Sequence, residues 1–454
     1  MAAAAPYAPT PPGSSARPSN GHLLRQRLAL AAPTTALSML QVVAQLTETW
    51  LAARQGTATL AGWAVLLPFA LLLAMMSTGA MGGGVVSAVA RALGGQRRDE
   101  AAGLVTHALI IATGFGLVFA VGVSLAARPL VTAVAGADAA VQAAPYAAWM
   151  FGLGAIPAWW SNTLASVLRG GGRHALAARV LGLSSVVMPV LAWALAEPAG
   201  MGLAGVGLAF ALTNIAAAAA LAVAVRGGAA GFTPRWRLQP SRALFMRILA
   251  VGAVASALAT LANLTTILVT AQLRHHGPAT VAAYGIAARL EFLIIPIAFG
   301  IGSALTALVG RYVGANDWTS ARRIAWLGGL VSLAFTGVIG VAVALAPVRF
   351  AMLFTADMAV VEIAASALRY TGFGFGGFGL GMAMYFASLG AGRLRWSVIA
   401  GLSRLGIAVV GGWWLANVWG LGAEGNFIAV AVAITAYGVA AATGVRASVW
   451  RGAT

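Results

Sequence analysis

Cysteine and lysine are both absent from this 454-residue chain, and only ten residues are acidic. Without cysteine there is no disulfide framework, no thiolate metal site and no cysteine nucleophile. Charged residues make up 8% of the chain; soluble domains carry roughly 25%, so a water-soluble fold is excluded. The residues present instead are apolar. Sixty per cent are hydrophobic and the mean hydropathy is +0.89. Sixty per cent of 454 is about 270 residues, enough for roughly twelve spans of ~20 residues. The apolar runs are long and unbroken, which excludes the alternating pattern of an outer-membrane barrel.

The runs begin near Leu28 and continue around 60–90, 104–126, 146–168, 175–196, 201–225, 248–273, 279–309, 325–346, 366–389, 396–416 and 427–449. This predicts an all-α polytopic membrane protein with twelve transmembrane helices. Residues 1–27, rich in Ala, Pro and Ser and lacking the apolar core of a signal peptide, are expected to form a disordered cytoplasmic tail.

All 28 basic residues are arginine, for a net charge of +18. In a soluble chain that excess would suggest nucleic acid, but here the arginines lie between apolar runs, and no nucleic-acid partner is expected. With the N-terminus inside, twenty fall on inner segments and five on outer ones (Arg54, Arg128, Arg274, Arg349 and Arg369). The remaining three, Arg179, Arg289 and Arg404, lie in or at the ends of spans. The positive-inside rule then places both termini in the cytoplasm of an inner (plasma) membrane protein and requires an even number of spans.

The chain also repeats itself. Gly56, Ala58 and Thr59 match Gly277, Ala279 and Thr280, 221 residues on, as Gly79 matches Gly300. Arg91, Gly94 and Ala101 match Arg311, Gly314 and Ala321 at an offset of 220, as Gly172-Arg173 matches Gly392-Arg393. Six spans separate the copies, so both run in the same direction, as in transporters built from parallel repeats. The expected organisation is an N-terminal lobe over 28–225 (spans one to six), a cytoplasmic linker over 226–247 and a C-terminal lobe over 248–449 (spans seven to twelve).

Ionisable groups inside spans are costly and mark function by default. Only Glu48 and Glu291 qualify among the acids; the other eight, Asp317 and Asp357 among them, fall in or near predicted loops. Thr34, Ser38, Gln41, Gln45 and Glu48 recur at steps of four and three, on one face of the first span. A polar stripe ending in a carboxylate faces a cavity or a partner helix, and withdrawal from water favours the protonated acid. That makes Glu48 the leading cation-coupling candidate, with Gln41 and Gln45 as substrate contacts; a Glu that snorkels to water at the span end is the alternative. Glu291 does not share a face with Arg289, two residues away. It is half of a structural ion pair with Arg404 of span eleven, a second cation or substrate site, or a group exposed at the lipid interface.

Asn263, Thr266 and Thr270 share a face of span seven, as substrate contacts or as interhelical hydrogen-bonding groups. Span ten concentrates Gly372, Gly374, Gly376, Gly377, Gly379 and Gly381, which predicts a pliable helix. Its Phe375, Phe378 and Met382 line either an apolar substrate surface or a close helix contact. Pro68 and Pro296 are hinge candidates in spans two and eight. The five histidines are scattered and no phosphate loop or nucleophile elbow is present. Neither an enzyme nor an ATP-driven pump is expected, and no metal or cofactor.

TETWLAARQGTATLAGWAV with ARALGGQRRDEAAG, and AAYGIAARLEFLIIPIAFGIGSALTALVGRYVGANDWTSARRIAW, resemble the two halves of the multidrug and toxic compound extrusion family. VLRGGGRHAL resembles its turn between spans four and five. The resemblance covers about residues 28–449. It implies two six-helix lobes around a central cavity and export of cationic or other amphiphilic small molecules in exchange for protons or sodium. Glu48 matches the family's coupling acid of span one, with Glu in place of Asp. Ser184 and Met188 stand where some relatives carry Asn and Asp, and spans seven and ten lack the carboxylates of sodium-linked relatives, which favours protons. The resulting expectation is a monomeric antiporter in the lipid bilayer. The alternative is a flippase for lipids or lipid-linked sugars.

Overall fold

The computed structural model describes residues 20–234, 240–446 and 448–450. The expected tail lies outside the described residues as far as residue 19, and so do 235–239 of the expected linker. Among the described residues the chain is helical throughout. We number the long helices α1 (Asn20–Arg54), α2 (Thr57–Gly94), α3 (Arg98–Ala135), α4 (the pair Ala137–Leu153 and Ala155–Gly170, bent by 42°), α5 (His174–Ala196) and α6 (Leu203–Arg226). They continue as α7 (Arg242–Leu273), α8 (Pro278–Gly314), α9 (Trp318–Leu345), α10 (Met358–Ala391), α11 (Arg395–Asn417) and α12 (Gly422–Thr443).

Ten of these helices are long and apolar enough to cross a membrane, and the bent pair makes eleven. Helix α1, with 35 residues, is about 52 Å long at ~1.5 Å per residue, more than a bilayer core requires. It starts at Asn20, ahead of the expected Leu28; after Gly21 the sequence meets no Gly or Pro until Pro33, so nothing stops the helix earlier.

Two compact units account for the packing, one built from residues 29–253 and the other from residues 20–28 together with 254 onward. The division falls inside α7, beyond the segment 226–247 expected to join the halves. The first turns of α7 are fixed to α3. His107 Nε2 accepts the Ser241 backbone N–H at 2.9 Å, its Nδ1 lies 2.8 Å from the Gly103 carbonyl, and its ring meets Phe245 edge-on at 4.6 Å. Because Nε2 accepts, the ring donates from Nδ1, and a side chain of α3 caps α7. Arg247 of α7 adds an ion pair with Glu100, which Arg97 also contacts at 3.3 Å.

The repeat is visible in the backbone. Residues with left-handed φ recur in pairs: Gly56 and Gly277 (108° and 98°), Gln96 and Asn316 (59° and 61°), Gly172 and Gly392 (81° and 71°), and Gly202 and Gly422 (57° each). Except for the first pair, each is separated by 220 residues. Packing follows the same rule. Helix α4 is the hub of the first unit, against α2, α3 and α6, and α10 is the hub of the second, against α8, α9 and α12.

The glycines of α10 serve that hub. The helix runs unbroken over its 34 residues, so the expected pliability is not expressed as a kink. A Cβ on Gly372 would stand 2.7 Å from the Gly340 carbonyl oxygen of α9, and one on Gly438 of α12 would stand 2.3 Å from that of Gly377. Backbone meets backbone on both flanks, as small-residue interfaces allow in lipid. Ser332 adds a 2.8 Å hydrogen bond to the Gly379 carbonyl.

The two hinge candidates differ. In α2, Pro68 precedes a π-helical turn at Met75–Ala80, whereas α8 continues as α-helix through Pro296. Two further π-turns lie at Ala148–Leu153 in α4 and at Ile407–Gly411 in α11, where the Val409 carbonyl accepts a 2.9 Å bond from Gln272 of α7. Such turns disturb the regular ladder and leave carbonyls for outside donors.

Candidate functional site

In the first unit the polar face of α1 is buried at Thr34, toward the helix N-terminus, and opens toward its middle. Thr34, 1% exposed, places Oγ1 3.5 Å from His174 Nδ1 on α5, and Ser38 donates to the Thr34 carbonyl at 3.1 Å. Gln41 is exposed, and Gln45 and Glu48 are half-buried. Leu51 and Ala52 in the next turn are fully buried, so the end of α1 is built into the unit. Arg54 anchors it by two hydrogen bonds to Glu197, at 2.8 and 3.3 Å, with its guanidinium 4.9 Å from the Trp50 ring.

Glu48 is in electrostatic contact with Tyr146 of α4, a buried residue whose hydroxyl faces Trp63 of α2. Among the described residues no cation pairs with Glu48. The tyrosine gives no local sequence signal, because the two residues are 98 positions apart and meet only through the fold.

The second unit holds the other span carboxylate. Arg404 Nη2 donates to Glu291 Oε1 at 2.5 Å, joining α11 to α8. Of the roles open to Glu291 in the sequence, the ion pair is therefore formed. The Arg404 guanidinium lies 5.4 Å from the Phe378 ring centre, a cation–π distance. Tyr284 and Tyr437 are in electrostatic contact with the pair, and the Tyr437 hydroxyl points at the Met382 sulfur at 3.8 Å. The structure thus gathers Glu291 and Phe378 around Arg404, with Met382 against the Tyr437 hydroxyl and Thr266 beside that of Tyr284. Tyr284 is missed in the sequence, yet it stands seven residues before Glu291, two turns away on the same face.

The other candidates stay apart from this cluster. Phe375, 1% exposed, is packed into the core of the unit. Asn263 is exposed and donates to the Ala259 carbonyl of its own helix at 2.9 Å, and Thr270 likewise to Thr266 at 2.7 Å. These bonds do not join α7 to a neighbour. Ser184 also bonds within its helix, and Met188 lies in the core of the first unit. Among the described residues no group of three or more His, Cys, Asp or Glu is placed to hold a metal ion. Asp317 and Asp357, read as loop acids, cap α9 and α10 by accepting backbone N–H bonds from Ser320 and Ala359 at 2.9 and 3.0 Å.

Comparison with known proteins agrees with this architecture. The chain superposes on a MOP superfamily transporter of Pyrococcus furiosus with a TM-score of 0.85, at 20% identity, over 96% of this chain and 99% of that one. The Vibrio cholerae MATE transporter VcmN in its bent form gives 0.85 at 21% identity, over 94% and 96%. In sequence, 96 residues are 31% identical to the probable multidrug resistance protein NorM of Thermotoga maritima, a match spanning 21% of each chain. The MatE family model matches residues 33–194 and again 252–414, once in each copy of the repeat and over most of the chain. The protein is therefore a multi-pass membrane protein belonging to the MatE family, the multidrug and toxic compound extrusion transporters.

Proposed function

We propose that this protein is a secondary antiporter that exports amphiphilic and cationic small molecules in exchange for protons, with Glu48 as the coupling carboxylate. The observation that carries the reading is the contrast between the two span acids: Glu291 is bound to Arg404, whereas Glu48 has no cationic partner among the described residues and faces Tyr146. A carboxylate without a fixed counter-ion in an apolar setting gains or loses a proton as its surroundings change. Gln41 and Gln45, on the same face of α1, offer neutral hydrogen-bonding groups to a substrate held there. In the second unit Thr266, Phe378 and Met382 offer a hydroxyl, an aromatic face and a pliable thioether.

Coupling follows if proton and substrate each bind the inward- and outward-facing states with different affinity; equal affinity would shift nothing. No step requires a bound cofactor, and the working unit is the monomer. The NorM relative is named for multidrug resistance, which agrees with a broad substrate range.

The test is dye efflux from proteoliposomes. Ethidium should move against its gradient when a pH gradient is imposed and fail to do so under a sodium gradient alone. Glu48→Gln should abolish the movement while the variant still elutes as a folded monomer. Normal efflux by the variant would overturn the assignment of Glu48, and sodium-driven efflux would overturn proton coupling.

A further inference from the structure

A groove runs between α2 and α3 of the first unit. Leu66, Phe69 and Leu72 form one wall, and the face of α3 from Val118 to Leu130 forms the other. Its volume is about 250 Å³ and its lining is apolar throughout. Leu66 and Ala127 are fully buried at its floor, whereas Leu72 and Val118 at its rim are 45% and 66% exposed.

From Val118 to Leu130 the groove follows α3 for ~18 Å, at ~1.5 Å per residue. A helix about 10 Å across would need several times the volume present, so the space suits a thin chain. An apolar cavity of this kind excludes water and accepts an apolar guest, and left empty it forfeits the dispersion contacts of its lining. The rim continues into the bilayer-facing surface of a multi-pass protein: Val121 and Leu125, on the adjoining side of α3, are exposed large hydrophobics. The neighbour that meets this surface is lipid, and lipid supplies the chain.

We propose that the groove is a binding site for one acyl chain of a membrane phospholipid. Gly122 is its opening: a Cβ there would meet nothing within 4 Å, so the missing side chain leaves the groove accessible from the bilayer. Leu66 and Phe69 flank Pro68, and Leu72 stands three residues before the π-helical turn that begins at Met75. A seated chain therefore packs against the stretch of α2 that holds its hinge candidate. The site is separate from the polar face of α1 and from the Arg404–Glu291 pair, and it requires nothing of the exported substrate or the coupling ion.

The test is photolabelling of the purified full-length protein in detergent, using phosphatidylcholine with a diazirine at mid-chain, followed by peptide mapping. Labels should concentrate on residues 66–72 and 118–130 relative to 183–190 of α5, another stretch with exposed large hydrophobics. Excess unlabelled phosphatidylcholine should remove them, and glycerophosphocholine, the headgroup without chains, should not. Gly122→Leu builds into the groove from a Cβ that meets no neighbour. Excluding about two methylenes of the lipid weakens retention about tenfold. Labelling of the groove should fall by that factor while 183–190 keeps its level, and Val121→Leu, outside the groove, should change nothing.

If Gly122→Leu does not fold, Ala126→Leu, which enters the same space, takes its place. Equal labelling of the groove and of 183–190 in wild type would overturn the proposal. So would groove labelling that persists in the filling variant, or competition by glycerophosphocholine.

Discussion

Gln96 and Asn316 lie 220 residues apart and take the same left-handed backbone conformation, φ 59° and 61°. Each stands in the turn that ends one helix and opens the next, α2 to α3 and α8 to α9. Asparagine tolerates this conformation and glutamine less well. Gln96→Gly should therefore stabilise the protein, by up to about 1 kcal/mol, and Asn316→Gly should change little. Melting temperatures in detergent would check the difference, and equal shifts for the two would contradict it.

The two span carboxylates should separate in function. Glu48→Gln should abolish proton-driven cation efflux, with the fold retained. Glu291→Gln should leave more of that efflux and cost more stability, because it strands Arg404. Initial efflux rates and thermal melting on the same preparations decide this.

Breaking the Arg404–Glu291 pair from one side leaves a charge without its partner, at a cost of about 3–5 kcal/mol for a buried pair. Partial exposure of both side chains places the expected value at or below the lower end of that range. Arg404→Gln and Glu291→Gln should each destabilise, and the double variant should lose less than their sum. A double-mutant cycle on thermal or denaturant unfolding measures the coupling directly.

Gly438→Ala puts a methyl group 2.3 Å from the Gly377 carbonyl oxygen. Backbone cannot yield there as a flexible side chain would, so α10 and α12 must separate. A loss of about 1–3 kcal/mol is expected. Gly406→Ala, where the added carbon meets nothing within 4 Å, is the control and should be neutral or better.

His107→Ala removes the acceptor for the Ser241 N–H and the ring contact with Phe245. Loss of a helix cap costs ~1 kcal/mol, and the effect should be local. Faster hydrogen exchange in the first turns of α7, with the rest of the first unit unchanged, is the expected signature. Protection left at the wild-type level would show that Arg247 and Glu100 hold the helix without the histidine.

Much of the fold is legible because bilayer thickness sets the length of each apolar run and the offset of 220 exposes the repeat. Helix ends are less so. Asp317 and Asp357 read as loop acids, and only backbone geometry reveals them as caps. The ion pair was accessible because a charge buried in a span needs a partner and few were available; Arg404 was one of three span arginines. Tyr146 was not accessible, since its position beside Glu48 depends on how α1 packs on α4. The glycines of α10 were ambiguous for a related reason. Composition predicts low helix propensity, but only the neighbouring carbonyls of Gly340 and Gly377 show that the missing side chains are what let three helices meet.

The paired turns at Gly202 and Gly422 make the molecule its own control. Both take φ 57°, and a Cβ there would face Gln55 Oε1 at 3.3 Å in one copy and His276 Cε1 at 3.7 Å in the other. An alanine at either position imposes the same backbone strain in the same protein, detergent and assay. Any difference between the two variants then measures the neighbour, amide against imidazole, and nothing else about the turn.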